Sequence, residues 1–142
     1  MSKVVASEFR LPDDSLVFDQ KNILGAVSQA AGVPTGRIIE DGSNANGWYI
    51  RFADGTQVCF YQLVFGGEGV GLRNSTWTYP VSFSSGPRRY ITKGTFPNVT
   101  SATVGHRTGG VSTSSAGEFS AECIEPSAGS FSMPVLAIGR WF

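Results

Sequence analysis

Residues 48–65, WYIRFADGTQVCFYQLVF, decide the fold. Two runs rich in aromatic and β-branched side chains flank Asp54-Gly55, a dipeptide suited to a tight hairpin turn. Read as a two-residue type I′ turn, it sets Ala53 opposite Thr56, Arg51 opposite Val58 and Tyr49 opposite Phe60. One face then holds Trp48, Ile50, Phe52, Gln57, Cys59 and Tyr61, and the other holds Tyr49, Arg51, Ala53, Thr56, Val58 and Phe60. Both are largely apolar, whereas a lone antiparallel sheet turns one polar face to water. A small domain cannot cover both by itself. The second face is therefore expected to pack in a homotrimer through Tyr49, Arg51, Val58 and Phe60, joined by the terminal Trp141 and Phe142. The bulky end Arg140-Trp141-Phe142 is expected to be docked.

Downstream, GGEGVG (66–71) reads as a hairpin loop, since no Lys-Ser/Thr or helix follows to make it a phosphate cradle. Further short strands follow in STWTYPVSF, RRYITKG, NVTSATVGHR, GEFSAECIE and MPVLAIGRWF. Six to eight strands at this spacing predict an all-β fold, a small antiparallel β-sandwich knob over 47–142. Upstream, residues 23–46 read as a connector. In it ILGAVSQAAGVP (23–34) is the one plausible short helix and TGRIIEDGSNANG is dense in turn formers. Residues 1–22 scatter Phe9, Leu11, Leu16 and Phe18 among charges and Pro12. That pattern predicts an extended anchor segment that folds on another component.

Composition agrees with strands and removes several function classes. The chain has 142 residues, 18 of them glycine, with 12% aromatic and only 15% charged residues. Eleven basic and eleven acidic residues cancel, which argues against a general nucleic-acid binder. No apolar run approaches the roughly 18 residues of a membrane span, and Glu8 and Arg10 interrupt any signal-like core. Neither membrane insertion nor secretion is expected, and no metal or cofactor. Cys59 and Cys123 read as two buried thiols, with a long-range bridge as the alternative. The single histidine, His106, has no convincing catalytic setting, and the acids sit singly or in turns. The chain is expected not to be an enzyme. Trp48 and Trp77 are expected in the core, with sugar-facing aromatics as the alternative.

The text over 23–65 is also recognisable. ILGAVSQAAGVPTGRIIEDGSNANGWYIRFADGTQVCF, Trp77-Thr78-Tyr79-Pro80 with Phe83 and Pro87, and the ending Ala137-Ile138-Gly139-Arg140-Trp141-Phe142 resemble the distal β-domain of tailed-phage and prophage tail fibre proteins. The resemblance implies the tip of a fibrous homotrimer, assembled in the bacterial cytoplasm into a virion, that attaches to a host-surface glycan or protein. If Met1 is the true start, the usual long shaft is expected to be absent. A short anchor plus a knob also suits a head fibre or decoration protein on a capsid, and a polysaccharide-trimming fibre enzyme is a further alternative. Receptor contacts are expected in two distal loops, 66–75 and 105–117, through Glu68, Arg73, Asn74, His106, Arg107 and Thr108.

Overall fold

The computed structural model describes residues 23–91, 111–123 and 129–142, and the backbone of 105–107. The strands are β1 (Gln29–Ala30), β2 (Val33–Pro34), β3 (Ile39–Asn44), β4 (Gly47–Phe52), β5 (Thr56–Phe65), β6 (Gly71–Thr78), β7 (Arg88–Ile91), β8 (Gly105–Arg107), β9 (Ala116–Cys123) and β10 (Phe131–Arg140). A five-stranded sheet has the order β3-β4-β5-β10-β7, a three-stranded sheet the order β6-β9-β8, and β1 and β2 form a small hairpin. Neighbouring strands are antiparallel throughout. The expected all-β antiparallel sandwich is the fold the chain adopts.

The central hairpin closes differently from the sequence reading. Trp48 faces Phe60, Tyr49 faces Cys59 and Arg51 faces Gln57. The loop has three residues, Ala53-Asp54-Gly55, with the Gly55 N–H donating to the Phe52 carbonyl at 3.0 Å. Only Gly55 takes a positive φ, +93°, as in a turn closed by a left-handed glycine. Asp54 instead accepts the Thr56 N–H at 2.8 Å and its hydroxyl at 3.1 Å, and these bonds hold its carboxyl below the usual pKa. Because side chains alternate, one residue of register reassigns the faces. Tyr49 and Arg51 join Gln57, Cys59 and Tyr61 on the inner face, while Trp48, Ile50, Val58 and Phe60 share the outer one.

Two upstream expectations are also corrected. Residues 24–34 hold no helix; β1 and β2 pair across Ala31-Gly32, whose φ values of 50° and 80° make this the two-residue turn with both positions left-handed. Ala-rich text favours a helix locally, yet Gly32 and Pro34 leave too few residues to propagate one. Within the supposed connector, Ile39–Asn44 is the edge strand β3, so the sheet begins before residue 47. Its polar letters suit an edge strand, whose outer side is met only at its start, by the parallel bridge of Leu24 to Ile39 among the described residues.

The core lies between the sheets. Cys59, Leu63 and Phe65 of β5 and Phe131, Met133, Val135 and Ala137 of β10 face Trp77, Phe119, Ala121 and Cys123 of the smaller sheet. The Trp77 ring stacks on Tyr61 at 6.1 Å and meets Tyr79 edge-on at 5.0 Å. Both cysteines are buried, and burial pushes the Cys59 thiol up to about 11. Trp77 is in the core as expected, at 2% exposure, but Trp48 is 55% exposed on the outer face.

Polar ties join the motifs singled out in the sequence to one another. In the SNANG turn, Asn44 Nδ2 donates to the Pro80 carbonyl at 2.8 Å, and the Asn46 carbonyl accepts the Trp77 indole N–H at 2.7 Å. The buried Gln57 amide donates to the Val81 carbonyl at 3.1 Å. The chain end docks on its own hairpin loop: Trp141 donates its indole N–H to the Phe52 carbonyl at 2.8 Å and its backbone N–H to the Gly55 carbonyl at 3.0 Å. A Cβ on Gly55 would stand 2.5 Å from the Arg140 guanidinium and 2.9 Å from the Phe142 ring. The motifs are thus structural ties.

Candidate functional site

The three-stranded sheet is built on alternation in β6 and β9. Arg73, Ser75 and Trp77 turn inward, and Leu72, Asn74, Thr76 and Thr78 turn outward. Opposite them on the outer side lie Glu122, Ser120, Glu118 and Ala116 of β9. The Ser120 hydroxyl donates to Asn74 Oδ1 at 2.7 Å, which fixes the amide against the sheet. This outer surface is hydroxyl, amide and carboxylate, apart from Leu72 and Ala116.

The register brings together four of the residues expected to contact a receptor. Arg73, Ala121 and His106 form one rung, and Asn74, Ser120 and Arg107 the next. Backbone position is all that is described for His106 and Arg107, and Thr108 lies outside the described residues. Glu68 is exposed in the 66–70 loop, next to Val70.

Arg73 has a different setting from the expected one. It is only 7% exposed. Its guanidinium donates to the Gly129 carbonyl at 2.6 Å and the Gly69 carbonyl at 2.7 Å, and lies 5.1 Å over the Phe131 ring. Two carbonyls and an aromatic face compensate a buried cation. Arg73 therefore fastens the 66–70 loop to the start of β10. The two expected loops also separate: Gly71 pairs with Cys123 at one end of the sheet, Thr78 with Ala116 at the other. The 111–115 turn thus lies a full β9 length from the 66–70 loop, and most of 71–75 and 105–107 is strand.

The six residues expected at a subunit interface do not share one surface. Val58 and Phe60 face outward. Tyr49 crosses β3 over Gly42, where a Cβ would stand 2.7 Å from the ring, and donates its hydroxyl to Glu40 at 3.0 Å. Burial first, and then this bond to Glu40, raise the Tyr49 pKa. Arg51 donates to Gln57 at 2.8 Å, stands 3.9 Å from Glu40, and lies 5.6 Å over the Trp141 ring. Glu40 also accepts the Val27 N–H at 2.9 Å, so this cluster ties residues 23–38 to the sheet. Trp141 and Phe142 cap the hairpin loop of their own chain. Arg89 likewise points inward, donating to the Glu118 carbonyl and covering Phe119, while its neighbour Arg88 is exposed. The anchor residues Phe9, Leu11, Leu16 and Phe18 lie outside the described residues.

The sequence reading expected a second apolar face carrying Val58 and Phe60, but placed Trp48 on the opposite one. Trp48 and Phe60 stack on the outer face of the five-stranded sheet at 5.8 Å with 19° between their planes. Tyr90 is 46% and Val64 55% exposed on the same face. The signal was present in the text as apolar residues at both parities of β5.

No family model matches the chain, and no curated protein is matched. Two solved structures are similar. One, an N-truncated R1-type pyocin tail fibre, is 19% identical with a TM-score of 0.51, over 71% of this chain and 84% of that one. The other, the C-terminal part of a P. aeruginosa R1 pyocin fibre, is 22% identical with a TM-score of 0.58. It covers 96% of this chain, which spans 41% of that fragment. The chain thus shares the β-rich fold found in the C-terminal region of pyocin tail fibres.

Proposed function

We propose that the protein is a fibre tip of a phage-like particle, a homotrimer that attaches to a host-surface glycan without cleaving it. The observation that supports this most is the tail-fibre fold over nearly the whole chain. The outer surface of the small sheet fits such a role. Asn74, Thr76, Thr78, Glu118 and Glu122 present acceptors and donors on a rigid strand scaffold, beside a glycine-rich loop that can vary without cost to the core. Weak single sites gain strength from three copies on one tip and several tips on one particle. Residues 1–22 are the segment we assign to attachment on another particle component.

The test is binding of the purified full chain to immobilised lipopolysaccharide and capsular polysaccharide from a panel of bacteria, with reducing ends assayed in parallel. Binding to a subset of surfaces without new reducing ends is expected. New reducing ends would make it an enzyme, and no binding to any surface or intact cell would remove the attachment role.

A further inference from the structure

We infer that the outer face of the five-stranded sheet is the contact between copies of this chain, closed at its rims by Asp41 of one copy against Arg88 of the next. The inference rests on the trimeric reading above and names the surface that makes it. Cross-strand register aligns two rungs across the whole sheet. In one, Trp48, Phe60, Leu136 and Tyr90 stand side by side. In the other, Ile50, Val58 and Ile138 fill the middle, Asp41 ends the rung on β3 and Arg88 ends it on β7.

In the second rung the middle, Ile50, Val58 and Ile138, is wholly aliphatic and offers a sugar hydroxyl nothing, and a floor of this kind favours another protein surface. The rims say which protein. Asp41 and Arg88 are both exposed, and among the described residues neither forms an ion pair. Four strand spacings separate them, about 19 Å at the usual interstrand distance, too far for a pair within one chain. A closed ring of head-to-tail contacts needs two different, complementary rims on each copy. An acid on the β3 edge and a base on the β7 edge supply them, and such charges set register and partner choice more than affinity.

The test uses the full chain and its dissociation concentration, read by light scattering and sedimentation, for the wild type, Asp41→Arg, Arg88→Asp and the double exchange. Each single reversal sets like charges against each other and is expected to raise that concentration roughly tenfold or more. The double exchange is expected to return to near the wild-type value. Trp48→Asp, at an exposed position in the floor, is expected to give a folded monomer by circular dichroism. A monomeric wild type would overturn the trimeric reading itself. A trimeric wild type with unaltered single reversals, or with no recovery in the double exchange, would overturn the Asp41–Arg88 seam alone. Loss of host-cell adsorption in Trp48→Asp at unchanged mass would give this face to the receptor and overturn the inference.

Discussion

The two outer faces of this sandwich meet the same solvent with opposite chemistry. On the three-stranded sheet, β6 alternates strictly, with Asn74, Thr76 and Thr78 outward and Arg73, Ser75 and Trp77 inward. On the five-stranded sheet, the centre of the outward face is Trp48, Ile50, Val58, Phe60, Leu136 and Ile138, with polar side chains such as Gln62, Ser132, Asp41 and Arg88 around it. A sheet face left in water follows the first pattern. The second is the pattern expected if the proposed contact between copies covers it. The difference teaches that amphipathic alternation marks the solvated side of a strand, and its loss marks the face for which we propose a partner.

The sharpest way to break the comparison is to truncate one tryptophan from each environment. Trp77→Ala removes a buried ring and leaves the Asn46 carbonyl without its indole donor, so unfolding stability should drop by about 3–5 kcal/mol. Trp48→Ala should leave the stability of the dissociated chain within about 0.5 kcal/mol and weaken assembly instead. Denaturant melts across a concentration series separate the two effects. Similar losses in the isolated chain would erase the distinction between the faces.

Arg73 tests the polar side. Arg73→Met leaves the Gly69 and Gly129 carbonyls without their donor and should cost about 1–3 kcal/mol. Glycan binding should fall further than stability explains, because the 66–70 loop loses its fastening. Arg73→Lys should rescue it only in part, since an ammonium lacks the planar fork that reaches both carbonyls. Full binding by Arg73→Met would detach the loop from recognition.

Gly55→Val perturbs the seam between hairpin and chain end. The left-handed φ and the crowding by Arg140 and Phe142 predict a loss of about 1–3 kcal/mol, read as a lower melting temperature at unchanged oligomer mass. The smallest effect is expected at Thr76→Ala, an exposed strand position on the polar face. Its stability change should stay within about 0.5 kcal/mol, with any effect confined to glycan affinity.

Much of the strand layout is legible in the text, and what is not has definite physical causes. The runs at 48–65, 116–123 and 131–140 show themselves by β-branched and aromatic density. The register of the first hairpin does not, because Ala53-Asp54-Gly55 suits a two-residue turn and a three-residue loop with a left-handed glycine equally well. That single step moved Tyr49 and Arg51 from the outer to the inner face. The edge strand Ile39–Asn44 is hidden because its polar residues are the letters of a turn. Of the candidate site, the register brings Asn74 and Arg107 onto one rung across Ser120. Arg73 misled because charge in a glycine-rich neighbourhood reads as exposed, whereas its rank in the alternation of β6, in step with Ser75 and Trp77, points it inward.

Covalent capture tests the central claim most directly. In a chain carrying both Asp41→Cys and Arg88→Cys, the two new thiols lie about 19 Å apart within one sheet, beyond the reach of a disulfide. Under mild oxidation of the assembled protein, the account predicts disulfide-linked species of two and three chains on a non-reducing gel, abolished by reductant, with no three-chain band from either single variant. Single chains alone, from a protein shown to be assembled when oxidised, would contradict it.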